Sequence, residues 1–197
     1  NFENFYVSGS NKEAYEFIFQ QNKLIKNSII YGPNKSGKSH LGRIWQDKHK
    51  AIYYNKKISK SLLKINKNVF IDNFFVNLDE ENIFHLINHC NNNNLKILIC
   101  INKYLYEYNF KIKDLLSRLQ SFNFIKINQP DDEMIANLIM KLLLDKQIII
   151  NQNEVIPYIL KRINRSYEDV YLLVEKIDNL SLEKKRELTI PLVKELI

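Results

Sequence analysis

Short apolar runs alternate with longer stretches of helically spaced apolar residues along the first two thirds of this 197-residue chain. Ser28-Ile29-Ile30-Tyr31 is a run of the kind that fills a strand buried on both faces, and it passes directly into a glycine-containing loop. Similar runs at 51–54, 68–72, 96–101 and 123–127 predict further strands, while helices are predicted over 38–48, 57–65, 80–91 and 111–120. Strands alternating with helices at this spacing predict an α/β fold built on a parallel sheet flanked by helices. After Pro130 the pattern changes. Residues 131–145, 153–163 and 166–180 have helical spacing and little strand signal, so a small all-α subdomain is expected over 130–197 behind an α/β core over 1–129. Asp131 and Asp132 give an N-terminal cap signal, and Thr189-Ile190-Pro191 starts a last short helix with proline in its first turn. There is no internal repeat; the run Asn91 to Asn94 reads as a solvated loop.

Composition bounds this picture. Hydrophobic residues make up 45% of the chain, enough for a sizeable core, yet no run approaches the roughly 18 apolar residues that span a bilayer. The net charge of +7 comes largely from lysines scattered through an Asn- and Ile-rich background, which reads as a solvated basic surface. Such a surface favours phosphate-bearing partners electrostatically and says nothing of specificity. Cys90 and Cys100 are the only cysteines, so no disulfide framework follows. His85 and His89 lie one helical turn apart beside Cys90, but no further ligand completes a tetrahedral zinc site, and they read as ordinary helix-face residues. The first residues carry no basic region followed by an apolar stretch, which predicts a cytoplasmic protein without membrane contact; the opening Asn1 in place of Met leaves room for a segment upstream.

Gly32-Pro33-Asn34-Lys35-Ser36-Gly37-Lys38-Ser39 has the residue types and spacing of a phosphate-binding loop, and it sits between a predicted strand and a predicted helix, as that motif requires. Of only 4 glycines in the chain, two fall at the positions where the backbone must fold around an anion with its amides pointing inward. Lys38 is then expected to reach the β and γ phosphates of a bound ATP or ADP, and Ser39 to ligate Mg²⁺. Asp72 ends the apolar run Val69-Phe70-Ile71 and is the candidate acid for the same metal. The next residue is Asn73, an amide where many ATPases hold a proton-accepting carboxylate, so intrinsic hydrolysis is expected to be slow. Asn102, after the run 96–101, reads either as a loop-starting residue or as a contact to the γ phosphate or attacking water. Arg118 reads either as a surface residue near a helix end or as an arginine reaching a neighbouring subunit.

Taken together and in this order, these segments resemble the AAA+ ATPases of bacterial replication initiation, the DnaA family, and within it the Hda-type regulators. The resemblance runs nearly end to end. Phe2-Glu3-Asn4-Phe5-Tyr6-Val7-Ser8-Gly9 with Asn11 and Ala14 is similar to the segment whose backbone cups the adenine, which implies nucleotide contacts at Tyr6, Val7 and Asn11; Gly37-Lys38-Ser39-His40-Leu41 is similar to the family's loop exit. Ile71-Asp72-Asn73 resembles the Hda form of the Walker B strand. Residues 96–119 match without gaps, which implies the sensor 1 role for Asn102 and the arginine-finger role for Arg118. Leu160-Lys161-Arg162 and Leu188-Thr189-Ile190-Pro191-Leu192-Val193-Lys194-Glu195 resemble the Hda lid.

Two departures accompany the likeness. Glu168 stands at the position of the family's sensor 2 arginine, where a carboxylate would repel phosphates; it is expected to turn away with Arg165 or Arg162 substituting, to weaken binding or favour the diphosphate, or to lie on a solvated helix face. A Gln-containing peptide that docks such regulators on the sliding clamp has no match from Asn1 onward, so that partner depends on a segment upstream. The resemblance implies a regulator that binds adenine nucleotide, contacts ATP-bound DnaA and promotes hydrolysis of its ATP. Ending after the lid implies no helix-turn-helix DNA-binding domain, with DNA reached indirectly and homodimer formation left open. The alternatives are an ATP-dependent DNA-handling protein, such as a helicase loader or shortened initiator paralogue using Lys23, Lys26, Lys56, Lys57 and Lys60, or a nucleotide-binding interaction module without hydrolysis.

Overall fold

The computed structural model describes residues 5–19, 27–54, 65–76, 78–184 and 190–196, with side chains at 181–184 excluded. Most of the predicted helix at 57–65, the five lysines above, Phe2 to Asn4, Leu188 and Thr189 lie outside the described residues. The chain divides into two compact units, one of residues 11–33 with 37–127, the other of residues 1–10, 34–36 and 128–197.

The first unit is an α/β layer structure. Helix α1 (Lys12–Phe19) precedes β1 (Ser28–Tyr31), which is followed by α2 (Lys38–Lys48), β2 (Ile52–Tyr53), β3 (Val69–Ile71), α3 (Glu80–Asn92), β4 (Ile97–Ile101), a 3₁₀ turn (Leu105–Glu107), α4 (Lys113–Gln120) and β5 (Asn123–Lys126). All pairings are parallel, in the order β2-β3-β4-β1-β5. Parallel strands covered on both faces must be apolar throughout, and Ile97–Ile101 is buried at every position. The register sets Tyr31 beside Ile101 and Ile71 beside Ile99, so the C-terminal ends of β1, β3 and β4 share one edge. Four of the predicted strands shrink, β2 and β3 by two residues and β4 and β5 by one.

Helix α1 is absent from the sequence expectations. Its eight residues bury only Ala14 and Ile18, too few to declare a period. Helix α4 begins at Lys113 rather than 111, and the N–H groups of Lys111 and Ile112 just before it donate to the carboxylate of Glu80.

The second unit is helical: α5 (Asp132–Asp145), α6 (Gln152–Leu160), α7 (Tyr167–Lys184) and α8 (Ile190–Lys194). Asp131 caps α5, accepting from Met134 N at 2.7 Å, as its place behind Pro130 predicts. Ile135, Ile139, Ile159, Val170, Ile177 and Val193 meet in the centre of its core, each fully buried. Residues 5–10 join this unit through polar contacts: Tyr6 Oη donates to Glu133, Ser8 and Ser10 share a hydrogen bond of 2.8 Å, and Ser10 Oγ meets Tyr167 Oη at 3.2 Å. Among the described residues no helix is long and apolar enough to cross a membrane.

Gly42 is where α2 meets the sheet. A Cβ added there would stand 2.2 Å from the ring of Phe70, itself fully buried on β3. Alanine gains up to about 1 kcal/mol of helix propensity, against an overpacking cost of about 1–3 kcal/mol. Gly42→Ala is therefore expected to lower the urea midpoint; an unchanged midpoint would show that the Phe70 ring has room to retreat.

Candidate functional site

The glycine loop leaves β1 still in register, with Gly32 N donating to Ile101 O at 3.3 Å. It enters α2 through Gly37, the helix N-cap, whose φ of 89° lies in the left-handed region that only glycine adopts without strain. Lys35 also takes positive φ, 59°, whereas Gly32 does not; of the two loop glycines, Gly37 is the one that the turn itself requires. Lys38 opens α2 and is 9% exposed, its ammonium donating to the Pro33 carbonyl at 2.5 Å. Burial holds the Lys38 pKa below its ordinary value, opposed by Cys100 and Asp72 nearby.

Ser39, one residue on, donates its hydroxyl to Asp72 Oδ1 at 3.0 Å. The same oxygen accepts from Asn73 N at 3.0 Å, and Asn73 itself turns with φ 49°. A hydroxyl and a carboxylate brought together in this way are the hard oxygen donors that suit Mg²⁺, so the residues present fit that ion. Asn102 follows β4 directly on the same edge and is exposed. Thus the parallel register gathers Gly32, Lys38, Ser39, Asp72 and Asn102 at the C-terminal ends of three adjacent strands.

Arg118 is placed differently. It sits in the last turn of α4, half-buried, with its guanidinium 4.9 Å from the centroid of Phe84 on α3. His40 continues α2 past the loop, and Asn11, 2% exposed, offers its carbonyl to Tyr15 N at the start of α1. The candidate zinc side chains have other roles: His89 Nε2 meets Ile65 O at 2.8 Å and Cys90 is buried in the core.

The remaining loop residues, Asn34, Lys35 and Ser36, group with the helical unit, as do Tyr6 and Val7. Asn34 Nδ2 donates to Glu168 Oε1 at 2.9 Å, and Lys35 Nζ lies 4.9 Å from the Tyr171 ring centroid, one turn further along α7. Glu168 is therefore not turned away from the loop tip, and it remains exposed to solvent on α7. Nor do the expected substitutes replace it there, since Arg165 pairs with Asp132 at 3.1 Å and the Arg162 guanidinium stacks on Tyr158 at 3.8 Å.

The chain is similar in sequence and fold to known proteins. A family model described as "Hda, lid domain" matches residues 139–197. The chromosomal replication initiator protein DnaA of Buchnera aphidicola subsp. Cinara cedri (strain Cc) is 26% identical, the alignment covering all of this chain and 52% of the initiator. This chain is a DnaA-related AAA+ protein. It spans about half the length of that DnaA relative. The same fold recurs in domain III of Thermotoga maritima DnaA, with TM-score 0.80, 18% identity, and 100% and 95% of the two chains covered. AMPPCP-bound DnaA from Aquifex aeolicus gives TM-score 0.69 at 19% identity, covering 93% of this chain and 67% of the other.

Sequence reasoning missed several contacts of the candidate residues. Glu80, 9% exposed, reads in sequence only as an acid at a helix start, and the N–H groups that donate to it lie some thirty positions away. Phe84 reads as one more apolar position. Cys100 Sγ lies 3.5 Å from Lys38 O, beneath the first turn of α2, a contact that no spacing rule encodes.

Burial favours the neutral thiol, so the Cys90 pKa is pushed up to about 12 and that of Cys100 also moves upward. Because the folded chain keeps these protons beyond 9.0, where unfolded thiols release them, their stabilising contribution is complete below that pH and declines above it. Ellman's reagent at pH 8 should leave the folded protein unlabelled and titrate both thiols once denaturant is added; rapid labelling of either in the native state would contradict the burial.

Proposed function

We propose that this chain binds ATP or ADP through the loop 32–39 and acts as an Hda-like regulator that promotes hydrolysis of ATP held by DnaA. The supporting observation is the combination of an intact phosphate-binding set with an amide, Asn73, directly after Asp72. The inward amides of the loop and the positive end of α2 favour polyphosphate. Lys38, resting on the Pro33 carbonyl, is placed to exchange that acceptor for phosphate oxygens with little added desolvation. Ser39 and Asp72 are the residues that would hold Mg²⁺, which when bound neutralises charge on the phosphates. Asn73 can orient a water but cannot take its proton, so turnover in this chain's own site is slow.

The nucleotide then serves as a structural ligand: at about 100 times its dissociation constant it adds about 2.7 kcal/mol of stability. Arg118 is the residue proposed to act in trans, since an arginine supplied to a partner's phosphates raises phosphoryl transfer by about 10³ to 10⁵. DnaA is the proposed partner because this chain resembles DnaA along its whole length and matches the Hda lid at its end.

Calorimetry should show ADP and ATP binding with magnesium, weakened about 10- to 100-fold in Lys38→Ala through loss of a charged hydrogen bond of about 1.5–3 kcal/mol. ATP-loaded DnaA, assayed with and without the sliding clamp on DNA, should hydrolyse faster in the presence of this chain and lose the gain with Arg118→Ala. No binding heat for either nucleotide would remove the structural-ligand reading; hydrolysis stimulated by DNA alone and lost in Lys38→Ala would instead make the chain a DNA-handling ATPase. Glu168→Ala removes a carboxylate bonded to the loop tip, and at an exposed site this should tighten ATP by no more than about fivefold, since exposed charges interact by about 1 kcal/mol or less. A weaker site in that variant would make the Asn34 contact supportive rather than opposing.

A further inference from the structure

We infer that Glu80 and Phe84 are positioning residues for Arg118, holding α4 at both ends so that its arginine is presented in one orientation. The inference rests on the trans-acting reading of Arg118 given above. Glu80 is the first residue of α3, and its carboxylate is turned from solvent toward α4: Oε1 accepts from Lys111 N at 3.1 Å and Oε2 from Ile112 N at 2.8 Å. Ile112 is the N-cap of α4 and supplies no side-chain cap of its own, so the capping charge comes from another helix. A carboxylate at a helix N-terminus is favoured by the helix dipole, and one that is nearly buried with both oxygens occupied has few alternative arrangements.

One turn further along α3, Phe84 lies beneath the guanidinium of Arg118 in the last turn of α4. A planar cation over a ring face is attracted by the ring quadrupole, and stacking removes rotamers that an arginine otherwise samples. Between the two anchors, Leu115 and Leu119 are fully buried in the same core as Ile83 and Ile87 of α3. The start of α4, its buried face and its terminal arginine are thus all referenced to the first two turns of α3. The Asp79 side chain fixes that start in turn, accepting from Asn82 N at 3.1 Å. An arginine that must reach a partner's phosphates from a helix end gains from this preorganisation, because a misplacement of about 1 Å can cost on the order of 100-fold in rate.

The test uses the full chain with ATP-loaded DnaA. Phe84→Leu keeps apolar bulk and removes the ring; Phe84→Tyr restores it; Glu80→Gln keeps shape and removes charge. The maximal stimulated rate is expected to fall about 10- to 100-fold in Phe84→Leu and in Glu80→Gln and to recover in Phe84→Tyr, with the half-saturating concentration unchanged. The Arg118 Nε–Hε resonance, assigned with Arg118→Ala, should be ring-shifted upfield in the parent and Phe84→Tyr and return to its ordinary position in Phe84→Leu. Should Phe84→Leu lose nucleotide binding as well, it has misfolded, and the resonance together with Glu80→Gln decides. Full stimulation by Phe84→Leu while Arg118→Ala is dead overturns the positioning role and leaves the regulator intact; parental stimulation by Arg118→Ala overturns both. An unshifted Arg118 resonance in the parent overturns the stack itself.

Discussion

Burial of the sheet on both faces is the constraint from which the arrangement of the candidate site follows. Ile29 and Ile30 of β1 and every residue of β4 are sealed from solvent, and an interior of that kind disfavours polar side chains that lack a partner. Chemistry is displaced to the places where the strands stop. Parallel pairing makes those places coincide, because Tyr31, Ile71 and Ile101 end on the same edge and the residues after them are Gly32, Asp72 and Asn102.

The polar groups at that edge are held by one another. Lys38 rests on a loop carbonyl, Ser39 on Asp72, and Asp72 also accepts from the backbone of Asn73. Each bond satisfies a group that is wholly or partly withdrawn from water. Within the helical unit, Glu168 accepts from Asn34 at 2.9 Å.

Much of this was legible in the sequence, and the reasons differ from element to element. Five short apolar runs identified the strands because a strand buried on both faces needs unbroken hydrophobicity, and the loop was recognisable because glycine and lysine spacing follows from backbone geometry. Helix α1 was not legible, since two buried residues in eight set no period. The start of α4 was misplaced by two residues, and nothing nearby in sequence identifies Glu80 as the acceptor of the N–H groups before it. The surroundings of Glu168 were equally hidden: sequence showed which charge stands there, and folding supplied Asn34.

By itself, then, the order of residues determined the local chemistry: the alternation of strand and helix, the loop with Gly37 at its turn, the acid that ends β3 and the caps that start α5. These depend on neighbours within a few positions, where propensity, φ preference and hydrogen-bond reach act directly. Only the tertiary structure decided which distant groups meet, as when Asp72 meets Ser39, Glu80 caps a helix that begins some thirty positions later, and Phe84 lies beneath Arg118. Such meetings depend on strand order and helix packing, which are properties of the whole core and are encoded at no single position.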